Sequence, residues 1–165
     1  MKNILVTGAA GFIGSNLVKR LIETKKCKVF SIDTKRKNES IILKKISSNN
    51  LKYFKKNFLK IKNYNFLPKK IDVIYHCASI VGVSKYMTNT IELIENNFYG
   101  AKKAIDISLN HNSKIIFFST SEIYGKNNKF PWNENSDRVL GDPSILRWSY
   151  SSSKSLMEHY FFCSW

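Results

Sequence analysis

The sequence predicts an α/β domain: a doubly wound parallel sheet covered by helices on both faces. Three observations lead there. Short β-branched runs alternate with segments whose apolar residues recur at helical spacing, the order that makes parallel strands joined by crossover helices. A glycine-rich stretch, "VTGAAGFIGSN", sits at the first passage from strand to helix. The 165 residues, 43% of them apolar, suffice for one domain with a real core.

"KNILVT" is the first strand, and "FIGSNLVKRLIE" has the apolar spacing of the first helix. "KVFSID" is the second strand. The polar stretch from Thr34 to Asn50 holds a helix around Ile41 to Ile46. "LKYFKKN" alternates weakly and is the third strand, and "IDVIYHCAS" is a strong buried one. From Asn89 to Leu109, the residues Ile91, Leu93, Ile94, Phe98, Ala101, Ile105 and Leu109 mark a long helix. "KIIFFSTS" is the fifth strand, apolar enough to be covered on both faces. A loop rich in Asn, Pro, Gly and Asp runs from Gly125 to Pro143, and "RWSYSSSKSLMEHYFF" is helical by period. There is no internal repeat and no low-complexity linker, so residues 1–165 read as one domain.

Composition narrows the function classes. No apolar stretch is long enough to span a bilayer. Glycines 8, 11 and 14 break the apolar start, and its pattern continues into Leu17, Val18, Leu21 and Ile22, so residues 1–24 read as mature structure rather than a signal peptide. The formal charge of +15 comes mostly from lysines scattered along the chain. With few arginines for bidentate phosphate or base contacts, this is a solvated basic surface suited to anionic substrates, and no nucleic-acid partner is expected. Cys27, Cys77 and Cys163 are odd in number and far apart, as in a reducing, cytoplasmic setting. His76, His111 and His159 lack zinc-ligand spacing, and no metal is expected.

The glycines have a physical reason. Gly8 permits a tight turn, Gly11 lets backbone approach a pyrophosphate, and Gly14 lets the helix pack on the strand. The helix N-terminus then offers unpaired N–H groups and a positive dipole end to phosphate. Asp33 ends the second strand, roughly 20 residues on, where a carboxylate accepts hydrogen bonds from ribose hydroxyls and repels a 2′-phosphate. That favours NAD over NADP, although Lys35 and Arg36 follow closely.

A second constellation lies downstream. "YSSSK" places Tyr150 and Lys154 on one helical face. An ammonium beside a phenol stabilises the phenolate, and a phenol so tuned takes a proton from a substrate hydroxyl. "FFSTSEIYG" puts Thr120, Ser121 and Glu122 after a strand, at the end where α/β sheets bind ligands. Thr120 and Ser121 orient a reacting hydroxyl there, and Glu122 serves as acid or base.

Together these residues resemble the extended short-chain dehydrogenases/reductases, the NAD-dependent epimerase/dehydratase group acting on nucleotide sugars. "TGAAGFIG" is similar to the group's TGxxGFIG, which brings Phe12 and Ile13 into the cofactor set with the glycines. Asp33 matches its ribose-binding acid. "YHCAS" is similar to its HLAA or HLAS block, implying that Cys77, Ala78 and Ser79 line the cofactor site. Asn97 matches the helix asparagine that steadies that region, "STSEIYG" resembles STSEVYG, and "YSSSK" resembles YxxxK. Asn57 stands where many members have an aspartate, before the adenine-contacting position, here Phe58. The resemblance covers residues 1–162 and implies a Rossmann-type sheet, NAD, and a homodimer through helices 89–109 and 148–162.

The implied chemistry is transient oxidation. Tyr150 takes the proton from a sugar C4 hydroxyl while hydride passes to NAD; Lys154 holds the nicotinamide ribose, and Thr120 bonds the same oxygen. Ser121 stands where 4,6-dehydratases carry Asp, which disfavours dehydration. Thr-Ser-Glu with "RWSYSSSK" resembles UDP-glucuronic acid decarboxylases, with UDP-sugar 4-epimerases as the alternative. The resemblance also implies a further substrate-binding domain beyond Trp165. On that expectation the chain is a fragment, a third reading is a catalytically inactive cofactor-binding piece, and the fifth strand presents an apolar edge that invites association.

Overall fold

A computed structural model describes residues 1–82 and 87–164. Its regular elements are β1 (Lys2–Thr7), α1 (Phe12–Glu23), β2 (Cys27–Asp33), β3 (Leu51–Lys55), β4 (Val73–His76), α2 (Thr90–His111), β5 (Lys114–Phe117) and α3 (Arg147–Cys163). The chain divides into two compact units. One is Met1–Ser79 with Gly100–Phe118; the other is Ile80–Tyr99 with Ser119–Trp165.

The first unit holds the whole sheet, in the order β3-β2-β1-β4-β5 with every pairing parallel. This is the Rossmann-type α/β fold that the strand and helix alternation predicts. Successive side chains of a strand face opposite sides, and β1 shows it. Leu5 packs with Ile32, Ile74, Ala104 and Ile107 on one face. Ile4 and Val6 pack with Val18, Val29 and Leu43 on the other. Helix α1 therefore covers one face through Val18, and the Gly100–His111 part of α2 covers the other through Ala104 and Ile107.

The strand order reverses at β1. From it the chain runs outward to β2 and β3, then returns to β1's other side with β4 and β5. Thr7 and His76 pair at the ends of β1 and β4. The crevice at such a reversal, beyond the strands' carboxyl ends, is where open α/β sheets bind ligands.

Two expectations are corrected. The helix expected around Ile41–Ile46 is instead a single 3-10 turn, Leu43–Lys45, preceded by another at Lys37–Glu39. Leu43 is fully buried and Ile46 packs partly buried on the same cluster, but Ile41 is 72% exposed, so the segment lacks the full apolar stripe a helix needs. The fifth strand was expected to run through "KIIFFSTS" with both faces covered. It stops at Phe117, and its isoleucines are only half-buried; its place at one end of the strand order agrees with the apolar edge expected of it.

The second unit is built on α3. Leu93 and Ile80 pack on Tyr150, and the Phe98 and Tyr160 rings meet edge to face at 5.6 Å. The 125–143 segment is irregular, as its composition predicts. It is tied down by an Arg138–Glu158 ion pair, a 3.4 Å Arg138–Ser155 hydrogen bond, and a bridge between Gly125 and Val139.

Candidate active site

In the first unit the site grows from the β1–α1 turn. Gly8 has φ +66°, a conformation that costs a residue with a side chain and costs glycine little. A Cβ there would lie 2.6 Å from the Ala78 nitrogen. A Cβ on Gly14 would collide with the Gly8 carbonyl oxygen and sit 2.9 Å from Ala9 Cα. The two residues therefore let turn, helix and β4 extension approach at backbone distance. Gly11 is the N-cap of α1 with no side-chain cap bond, so the first-turn N–H groups have no capping side chain. Phe12 itself is 85% exposed.

Asp33, at the end of β2, accepts from the Ala10 N–H through Oδ2 and from the Lys35 N–H through Oδ1, both at 2.9 Å. On the other side of β1, Cys77 N–H donates to the Thr7 carbonyl at 3.2 Å. Ala78 N–H donates to Thr7 Oγ1 at 3.3 Å, and that hydroxyl lies 2.8 Å from His76 Nδ1. Burial pushes the Cys77 thiol up to about 12, which keeps it protonated and unreactive. Ser79 follows as the last residue of the first unit's β4 extension.

Asn57 caps the short turn Phe58–Lys60, its side chain accepting from Leu59 N–H at 3.0 Å. The Phe58 ring is buried in the core, 5.7 Å from the His76 ring. At this position the structure exposes the Asn57 side chain and not the Phe58 ring. Lys103 braces the same turn, donating to the carbonyls of Leu59 (2.8 Å) and Ile61 (2.5 Å).

In the second unit, Tyr150 and Lys154 are 6% and 3% exposed, and Lys154 Nζ lies 5.9 Å from the Tyr150 ring centroid. Burial pulls the Lys154 amine down to about 8, with Glu158 nearby raising it part of the way back. Thr120 caps the Ser121–Tyr124 turn, its Oγ1 accepting from Glu122 N–H at 3.3 Å, so its own proton is available for another acceptor. Ser151 Oγ donates to the Glu122 carbonyl at 2.5 Å, which joins this turn to the Tyr150 helix. Glu122 also faces Arg147 at 3.8 Å, and Ser121 is exposed. Asn97 is 2% exposed and spends both ends of its amide on Ile80: Oδ1 accepts from its N–H at 2.7 Å and Nδ2 donates to its carbonyl at 3.1 Å. It holds that segment in place.

The family model for the NAD dependent epimerase/dehydratase family matches residues 4–162. The chain belongs to this family. UDP-N-acetyl-alpha-D-glucosaminuronate decarboxylase of Bacillus cytotoxicus is 38% identical over 157 residues, which are 95% of this chain and 48% of that protein. Among solved structures, the PbgP3 protein of Burkholderia pseudomallei superposes with a TM-score of 0.86 at 26% identity, over 99% of this chain and 54% of that one. UDP-glucuronic acid 4-epimerase of Bacillus cereus, in complex with UDP-glucuronic acid and NAD, superposes at 0.82 with 26% identity, over 98% of this chain and 52% of that one. The chain spans about half the length of the relatives it matches.

NAD is the cofactor of this epimerase/dehydratase family, and the first unit fits it. Two glycines that a Cβ would obstruct, an uncapped helix N-terminus and a terminal acid on β2 are the parts a dinucleotide needs. Sequence reasoning missed Thr7 and His76, whose contact spans 69 residues. The one local signal was that Thr7 directly precedes Gly8.

Proposed function

We propose that this chain carries the cofactor-binding and proton-transfer machinery of an NAD-dependent enzyme that decarboxylates a UDP-uronate. The observation that carries this is the buried Tyr150–Lys154 pair, tied through Ser151 to the turn that bears Thr120 and Glu122. In the first unit, Gly8, Gly11, Phe12, Ile13, Gly14 and Asp33 would hold the cofactor, with Asn57, Phe58, Cys77, Ala78 and Ser79 as its walls. When bound, NAD supplies a hydride acceptor and donor.

Tyr150 takes the proton from the sugar C4 hydroxyl. The Lys154 ammonium lowers the cost of charge on the phenol oxygen, and the Thr120 hydroxyl donates to the same substrate oxygen. Once C4 is a carbonyl, a carboxylate at C6 stands β to it. The C5–C6 bond breaks, CO2 leaves, and the bonding pair passes into a C4–C5 enolate. A protonated Glu122 gives a proton to C5, and Tyr150 gives its proton back to the C4 oxygen as C4 would recover the hydride held by the cofactor.

The Bacillus cytotoxicus decarboxylase, at 38% identity, supports loss of CO2. The likeness to a UDP-glucuronic acid 4-epimerase supports a second reading, in which the 4-keto sugar is turned over and reduced on its other face. Incubation with NAD and UDP-glucuronate, or its N-acetylglucosamine counterpart, distinguishes them. Released CO2 with a UDP-pentose product supports decarboxylation. A C4 epimer with carboxylate retained supports epimerisation. Bound NAD with neither product and no change in nicotinamide absorbance refutes both for this chain.

A further inference from the structure

We propose that Asp33 is a positioning residue for the phosphate-binding turn, in addition to being an acceptor for ribose. The inference rests on the reading of the first unit as a dinucleotide site.

The turn between β1 and α1 is tethered to the end of β2 by two consecutive amides. Ala9 N–H donates to the Ile32 carbonyl at 3.3 Å, and Ala10 N–H donates to Asp33 Oδ2 at 2.9 Å. The first is backbone to backbone and any sequence could make it. The second depends on a carboxylate 23 residues away. The other oxygen, Oδ1, accepts from Lys35 N–H at 2.9 Å and lies 3.5 Å from Thr34 Oγ1. A local aspartate turn explains Oδ1 alone. It does not explain why Oδ2 reaches the glycine turn.

Held from two sides, the carboxylate is fixed in rotation. A carboxylate has about four lone-pair positions, so it retains capacity for a ribose hydroxyl while clamping the turn. Gly8 is closed against Ala78 on the opposite side. Ala10 lies between Gly8 and Gly11, so fixing its amide sets the path into the α1 N-terminus, where phosphate is received. One side chain thus serves both halves of adenosine diphosphate recognition, and the turn is shaped before ligand arrives.

The test compares ADP with 2′,3′-dideoxy-ADP, which lacks the hydroxyls that Asp33 would accept. Binding of both to the wild-type chain, D33A and D33N is measured by calorimetry, with amide hydrogen exchange at Ala10 in parallel. The clamp predicts that D33A binds the dideoxy probe about tenfold more weakly than wild type does. It also predicts that the Ala10 amide exchanges faster in D33A. D33N keeps one acceptor oxygen, which can take the Ala10 N–H while the Lys35 bond is lost, and restores dideoxy binding in part. Equal dideoxy affinity in wild type and D33A, unchanged Ala10 exchange, or no rescue by D33N overturns the clamp alone. A folded wild-type chain that binds neither probe overturns the dinucleotide reading and the clamp with it.

Discussion

Lys154 and Tyr150 sit one helical turn apart in α3, both more than nine-tenths buried, with the amine 5.9 Å from the centroid of the phenol ring. Burying an amine disfavours its charged form, and here it brings the amine down to about 8. The group proposed to stabilise a phenolate is therefore itself held under strain by its surroundings.

The first prediction follows from that cost. A lysine whose folded pKa is depressed binds fewer protons than the unfolded chain between about 8 and its ordinary value of 10.5. Its unfavourable contribution is complete below 8 and is relieved as pH rises through that window. Lys154→Met should raise stability by roughly 1–3 kcal/mol at neutral pH. The advantage should shrink as pH approaches 10. Denaturant melts of both proteins at several pH values check this; a Met variant less stable than wild type at neutral pH contradicts it.

Removal of the Tyr150 hydroxyl tests the proton-transfer role. Tyr150→Phe should lower turnover of the UDP-uronate by about 10²- to 10⁴-fold, the usual worth of a positioned acid–base group. Affinity for ADP, whose proposed site lies in the first unit, should be unchanged. Paired kinetic and calorimetric measurements separate the two, and a Phe variant with full turnover removes Tyr150 from the mechanism.

The glycines should differ in sensitivity. Gly14→Ala drives a methyl onto the Gly8 carbonyl and against Ala9 Cα, both rigid backbone. It should cost about 1–3 kcal/mol, as overpacking typically does. Gly11→Ala meets only the Gly8 oxygen, at 3.2 Å, and has no positive φ to relieve, so it should cost less. Equilibrium unfolding of the two variants ranks them; the reverse order would mean that the turn relaxes.

Asn97 offers a test of rigidity without touching the acid–base pair. Asn97→Ala leaves the Ile80 N–H and carbonyl without their side-chain partners. A loss of about 1 kcal/mol is expected, the net worth of hydrogen bonds to partly buried backbone groups. Exchange of the Ile80 amide should quicken in the variant, and unchanged exchange would show that the bond is dispensable.

Much of the site was legible because its chemistry is local. Gly8, Gly11 and Gly14 mark a turn by what a Cβ cannot do there, and Tyr150 and Lys154 share a helix face by spacing alone. The bonds from Asp33 to Ala10 and from His76 to Thr7 were not legible. Each joins residues distant in the chain, and nothing in their neighbours' identity announces the pairing. The run Ile41–Ile46 misled for a related reason: apolar residues at helical spacing indicate a helix only when a surface exists to receive the whole stripe, and here Leu43 is fully buried while Ile41 stays 72% exposed.

By itself, then, the sequence determined the element types, the parallel α/β class and the glycine turn, because periodicity and backbone freedom act over a few residues. Tertiary structure alone decided the strand order, the end of β5 at Phe117, the bond from Ala10 to Asp33 and the depressed proton affinity of Lys154. Those depend on which distant groups exclude water or supply a hydrogen-bond partner, and that is set only when the chain has packed.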